Sequence, residues 1–133
     1  MRWRFMSRIS IDKNVTIIIV DVFLQNKGIQ KKVRMALDTG ASYVMIPWDV
    51  AEALNLEPAL SSEKIETVTA SGVEKAPVVT IEIINVLGCE AARVKALVHD
   101  LPAKSYVDGL LGLSFLKNFN ITLNFKEGIL KIE

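Results

Sequence analysis

The chain has 133 residues, half of them hydrophobic and 23% charged, which suits one domain with a real core and excludes a disordered chain. Its 16 Lys and Arg against 15 Asp and Glu leave a formal charge of +1, so no global attraction draws it to nucleic acid or anionic lipid. A single cysteine, Cys89, and a single histidine, His99, exclude an internal disulfide and a His- or Cys-rich zinc centre within one chain.

Residues 1–8, MRWRFMSR, form a basic N-terminal extension without the long apolar stretch of a signal peptide. The apolar run at 16–20 is cut by Asp21 and is far too short to span a bilayer. These features predict a soluble, cytoplasmic protein. Residues 9–24 are rich in Ile and Val and predict a strand, with a turn at 25–28 ending in Gly28. A second strand is expected over 29–37. After Pro47, residues 48–54 carry Val50, Ala51 and Leu54 at helical spacing, with Asn55 as C-terminal cap. Strands follow over 64–70 and 73–86, joined by a turn at Ser71-Gly72. The adjacent Ile83 and Ile84 break the alternation, which predicts a bulge or a strand buried on both faces. Gly88 marks a turn and 91–98 a further strand; 107–112 is apolar, and 114–118 suits a helical turn. A hairpin pairing 121–125 with 129–132 ends the chain. The result is an all-β fold with one or two short helices, in one domain over 9–133. Apolar edge strands at both ends invite pairing with another chain.

Asp38, Thr39, Gly40, Ala41 and Ser42 place a carboxylate at a strand end, followed by a hydroxyl, a glycine and two small residues. Alone, this is also how a strand ends in a turn. Downstream lie the hairpin with Ser71-Gly72 at its tip and then Leu110-Leu111-Gly112. An Asp-Thr-Gly-Ala-Ser segment, a flap-like hairpin and an apolar-apolar-Gly motif, in that order, resemble the retropepsin-like aspartic proteases over about 9–133.

The resemblance implies a closed acid-protease-type β-barrel and an aspartic endopeptidase. Such chemistry needs two carboxylates sharing one proton, one activating a water and the other protonating the scissile carbonyl. With one Asp-Thr-Gly per chain, it implies a C2 homodimer that joins Asp38 from two chains on the axis. Thr39 would hydrogen-bond across that axis, and Gly40 would leave room beside the carboxylate. Ala41 and Ser42 complete the loop, with Ser42 where retroviral enzymes commonly carry an acid. Leu110, Leu111 and Gly112 would pack behind the loop. Ala70, Ser71, Gly72 and Val73 would form the flap tip over a peptide or unfolded protein substrate, and residues near Val44, Ile46 and Val73 would line apolar pockets. No metal or organic cofactor is implied, because the dyad and water suffice. A catalytically weak dimeric peptide-binding or scaffolding module of the same fold is the alternative.

Other residues read as structural. Asp108-Gly109 lacks the threonine and fits a turn. His99 and Asp100 are adjacent on an extended segment, so they point to opposite faces as a solvated strand end. Ser114 begins an incomplete nucleophile elbow and fits a cap on the helical turn. Lys31, Lys32 and Arg34 suit a solvated face that could favour acidic substrates, and Cys89 is an inert turn residue.

Overall fold

The computed structural model describes residues 8–133 apart from 13, 15, 70 and 71. Its strands are β1 (Arg8–Ser10), β2 (Ile19–Asn26), β3 (Ile29–Leu37), β4 (Val44–Ile46), β5 (Lys64–Thr69), β6 (Gly72–Val86), β7 (Cys89–Val98), β8 (Gly109–Leu111), β9 (Ile121–Asn124) and β10 (Ile129–Ile132). Two short helices, α1 (Trp48–Ala53) and α2 (Leu113–Leu116), interrupt them.

Strands β2, β3, β8, β4, β7 and β6 pair in that order, and β6 returns to β2 through Phe23↔Asn85, Leu24↔Ile84 and Gln25↔Ile83. The six strands therefore form a closed barrel, which removes the open edges a flat sheet would leave. Two hairpins frame it. Lys27-Gly28 and Leu87-Gly88 all have positive φ (49°, 78°, 52° and 82°), the type I′ turn whose twist matches that of its strands and which favours glycine second. Alternation fills the interior: Val20, Val22 and Leu24 on β2 point inward, as do Val33 and Met35 on β3. They meet Val44, Ile46, Ile81, Ile84, Val94, Ala96, Leu111 and Phe115 in one core, which Leu130 and Ile132 of the terminal sheet close from below.

Several sequence expectations change here. The strand expected over 9–24 is two strands: β1 leaves the barrel to pair with β10, giving a separate sheet ordered β1-β10-β9. The cause is polar, since Asn14 N donates to Asp12 Oδ1 at 2.9 Å and turns the chain. The expected break at Ile83-Ile84 is a switch of face without a change of register. Ile81↔Val94 and Ile83↔Ala92 belong to one continuous pairing that skips Glu82 and Arg93, with Arg93 left-handed at φ 52°. Glu82 N instead donates to Oδ1 of Asn26 at 3.3 Å, and Asn26 Nδ2 donates to Leu54 O at 2.9 Å. Asn26, expected in a surface turn, is thus a buried strand residue at 3% exposure. It satisfies a carbonyl at the end of α1 and an amide the ladder leaves over. Cys89, also expected in a turn, opens β7 and is buried, its thiol donating to Ile132 O at 3.4 Å.

Candidate active site

β3 delivers Asp38 to the barrel mouth. Beside it runs β8, parallel to β3 through Met35↔Gly109, Ala36↔Leu110 and Leu37↔Leu111, while β4 lies antiparallel to β8 on its other side. The loop between Leu37 and Val44 must therefore cross the end of β8, and it is anchored there. Asp38 N donates to Leu111 O at 3.1 Å, and Leu113 N donates to Ala41 O at 2.8 Å. Gly112 makes this crossing possible, because a Cβ there would lie 2.3 Å from Tyr43 O and 2.6 Å from Ala41 O.

Asp38 itself is half-buried. Its Oδ1 accepts from Gly40 N at 2.9 Å, and Ala41 N donates back to Asp38 O at 3.2 Å. A Cβ on Gly40 would come within 3.2 Å of that Oδ1, so the glycine lets its amide approach the carboxylate. Thr39, Gly40 and Ser42 are exposed on the open side of the loop, and Ala41 is half-buried.

Asp38 sits in a cleft of ≈ 720 Å³. One wall is the loop itself with Tyr43 and Met45, and the opposite wall is the β5–β6 arm with Ile65, Thr67 and Glu74. This arm is a regular hairpin, from Lys64↔Pro77 to Thr69↔Gly72. Ala70 and Ser71, two of the four expected flap residues, lie outside the described residues. Gly72 opens β6 at φ 122° and Val73 is 63% exposed.

Around Val44, Ile46 and Val73 the cleft is lined by their neighbours. Val44 and Ile46 are fully buried in the core, so the cleft takes their outward neighbours Tyr43 and Met45. The sequence reading missed β4, and with it the parity that decides which residues face out. Val73 lies outside the lining, where its cross-strand partner Val68 takes part. Leu111 is fully buried and Gly112 lies against the backbone of Ala41 and Tyr43, whereas Leu110 is half-buried and lines the cleft with Asp38.

His99 and Asp100 also reach this cleft, with structural tasks a sequence pattern does not reveal. Asp100 Oδ1 accepts from Trp48 N at 3.0 Å, capping α1 from a distant loop. His99 N donates to Ile46 O at 3.0 Å, while its Nδ1 lies 3.7 Å from Glu74 Oε2 on the arm. Asp108 stays exposed and outside the lining. Ser114 does not cap α2. Its hydroxyl donates to Lys95 O at 2.7 Å and accepts from Val44 N at 2.8 Å, tying β4 to β7. Among the described residues no three His, Cys, Asp or Glu side chains are grouped to hold a metal.

Comparison with known proteins places this geometry. The family model described as "gag-polyprotein putative aspartyl protease" matches residues 27–118, about two thirds of the chain. That span holds both Asp38 and the Leu110–Gly112 segment that supports it. Among solved structures, a retropepsin-like aspartic protease from Rickettsia conorii superposes with a TM-score of 0.70 at 22% identity, covering 94% of this chain and 87% of that one. A search of curated protein sequences finds no match. The matched family model and the closed barrel that delivers Asp-Thr-Gly to a cleft agree: this chain belongs to the retropepsin-like family of aspartic proteases.

Proposed function

We propose that the chain is an aspartic endopeptidase acting as a C2 homodimer, with Asp38 of each protomer forming the catalytic dyad. The observation that carries this reading is Asp38, held by the Gly40 amide beside a cleft, as the one Asp-Thr-Gly carboxylate in a protease-family chain. One such carboxylate is half of the machinery the reaction needs. Two carboxyls within about 3 Å of each other share one proton, because like charges so close do not both ionise. The ionised Asp38 then takes a proton from water as it attacks the scissile carbonyl carbon, and the protonated Asp38 donates to the carbonyl oxygen. Collapse of the tetrahedral intermediate breaks the C–N bond and delivers a proton to the leaving amine.

Supporting features lie around the loop. Thr39 is exposed where a partner's loop would meet it, and the β5–β6 arm stands over the cleft as a flap for an extended peptide. The proposed setting is the cytoplasm, since a chain with one cysteine needs no disulfide to fold. Among the described residues no helix is long and apolar enough to cross a membrane.

The test is cleavage of an unfolded model protein across acid to neutral pH, with Asp38→Asn compared against wild type and both sedimented in parallel. We expect wild type alone to cleave while both proteins sediment as dimers. Cleavage by Asp38→Asn, or by a chain that stays monomeric, would overturn the mechanism. A folded dimer that binds peptide at Asp38 without ever cleaving would be a peptide-binding module.

A further inference from the structure

We propose that the cleft selects peptides presenting a lysine or arginine side chain, with Glu74 as the specificity-determining residue. The cleavage this would direct rests on the protease reading above; the binding preference rests on the cleft alone.

The argument starts from one face of β6. Val78, Ala76 and Glu74 alternate along the strand and so point the same way. Val78 is 5% exposed and pairs with Leu97; Ala76 is 1% exposed and pairs with Ile65. Tyr43, Met45 and Ile65 pack against this small cluster. The row therefore runs from an apolar floor to a carboxylate at its outer end, with the Glu74 side chain 49% exposed. A long cationic side chain has that same polarity, an alkyl stem ending in a charged head.

Charge along the lining points the same way. Among the described residues, Asp38, Glu66, Glu74 and Asp100 line the cleft with no Lys or Arg beside them. His99 is the one basic side chain among those described lining residues, and its Nδ1 lies 3.7 Å from Glu74 Oε2. That contact lies on the cleft side of the arm. A carboxylate has acceptor sites on both oxygens and can take a cationic donor from a bound peptide.

Glu66 is differently placed. Its register partner on the hairpin is Lys75, so by alternation it stands on the opposite face of the arm from Glu74. The basic residues Lys31, Lys32 and Arg34, which suggested acidic substrates, are exposed on β3 and lie outside this lining. An acidic peptide side chain would meet the like charge of Glu74.

The experiment uses apolar decapeptides with one position varied among lysine, norleucine and glutamate, norleucine matching the stem of lysine without its charge. Binding of fluorescein-labelled peptides to the Asp38→Asn protein is read by anisotropy, and kcat/KM is read with wild type. We expect lysine to be favoured over norleucine by about fivefold and over glutamate by more, the scale of one half-exposed ion pair. Glu74→Gln should bring the lysine-to-norleucine ratio close to one, and Glu74→Lys should make glutamate the preferred residue.

A wild-type ratio within about twofold of one, or an unchanged ratio in Glu74→Gln, overturns the inference even if cleavage is robust. A lysine preference in binding that Glu74→Gln abolishes, with no cleavage of any peptide, sustains the inference and removes the protease reading instead.

Discussion

At the scale of single residues, the site depends as much on a glycine as on an acid. Gly112 sits where two chain segments cross, and the atoms a side chain would strike are backbone oxygens of Tyr43 and Ala41, which have no flexible end to swing away. Ala41 O also accepts from Leu113 N, three residues along from Asp38. A methyl group at 112 must therefore push the Asp38 loop off β8. We predict that Gly112→Ala costs about 3 kcal/mol in urea unfolding, the upper range for an overpacked site, and lowers activity beyond what the stability loss explains. Gly28→Ala is the informative contrast. A Cβ there meets nothing within 4 Å, but the residue has φ +78°, so alanine should cost about 1 kcal/mol through backbone strain alone and leave kcat/KM intact. Equal effects of the two substitutions on activity would remove the claim that Gly112 positions the loop.

The same separation of packing from backbone conformation governs the elements. α1 ends in a Schellman motif: Leu56 N donates to Ala51 O and Asn55 N to Glu52 O, both at 3.0 Å, with Asn55 left-handed at φ 56°. Asn55→Gly should therefore stabilise the fold by a few tenths of a kcal/mol and Asn55→Ala destabilise it by about 1 kcal/mol, read as opposite shifts of the urea midpoint. An asparagine after a short apolar period was enough to place this helix end from sequence. The hairpin turns are found from Gly28 and Gly88, which solve a local problem, but Gln25, Asn26 and Cys89, read as turn residues, belong to strands. β4 is not found, since three residues carry too little periodicity to register as a strand and its partners β7 and β8 are distant in sequence. That omission propagates: without β4, the sequence points to the neighbourhood of Val44 and Ile46 but not to the parity that turns Tyr43 and Met45 into the cleft, and it reads Ser114 as a helix cap where its hydroxyl bridges β4 and β7. Local chemistry is readable one residue at a time, whereas cleft lining depends on long-range pairing.

At the scale of the whole molecule, the order of three motifs pointed to the barrel although no single strand did. Asp38, the β5–β6 arm and Leu110-Leu111-Gly112 are far apart in sequence, and closing the barrel brings them around one cleft. Closure leaves the molecule with one Asp-Thr-Gly carboxylate, and this arithmetic supports the most discriminating test of the proposed dimer. If each active unit needs Asp38 from two chains, a protomer carrying Asp38→Asn poisons any wild-type protomer it joins. Held at constant wild-type concentration, allowed to exchange subunits and kept above the dimer dissociation constant, the mixture should lose activity according to random pairing. An equal amount of Asp38→Asn would leave about half the activity, and a ninefold excess about one tenth. An enzyme complete within one chain would show no change at either ratio, because the added protein would touch none of its active sites. Excess mutant could also depress the rate by binding substrate, so the assay is run at substrate well above total protein, where such competition is negligible. A loss that follows the pairing statistics under those conditions is the signature of a site shared between two copies of Asp38.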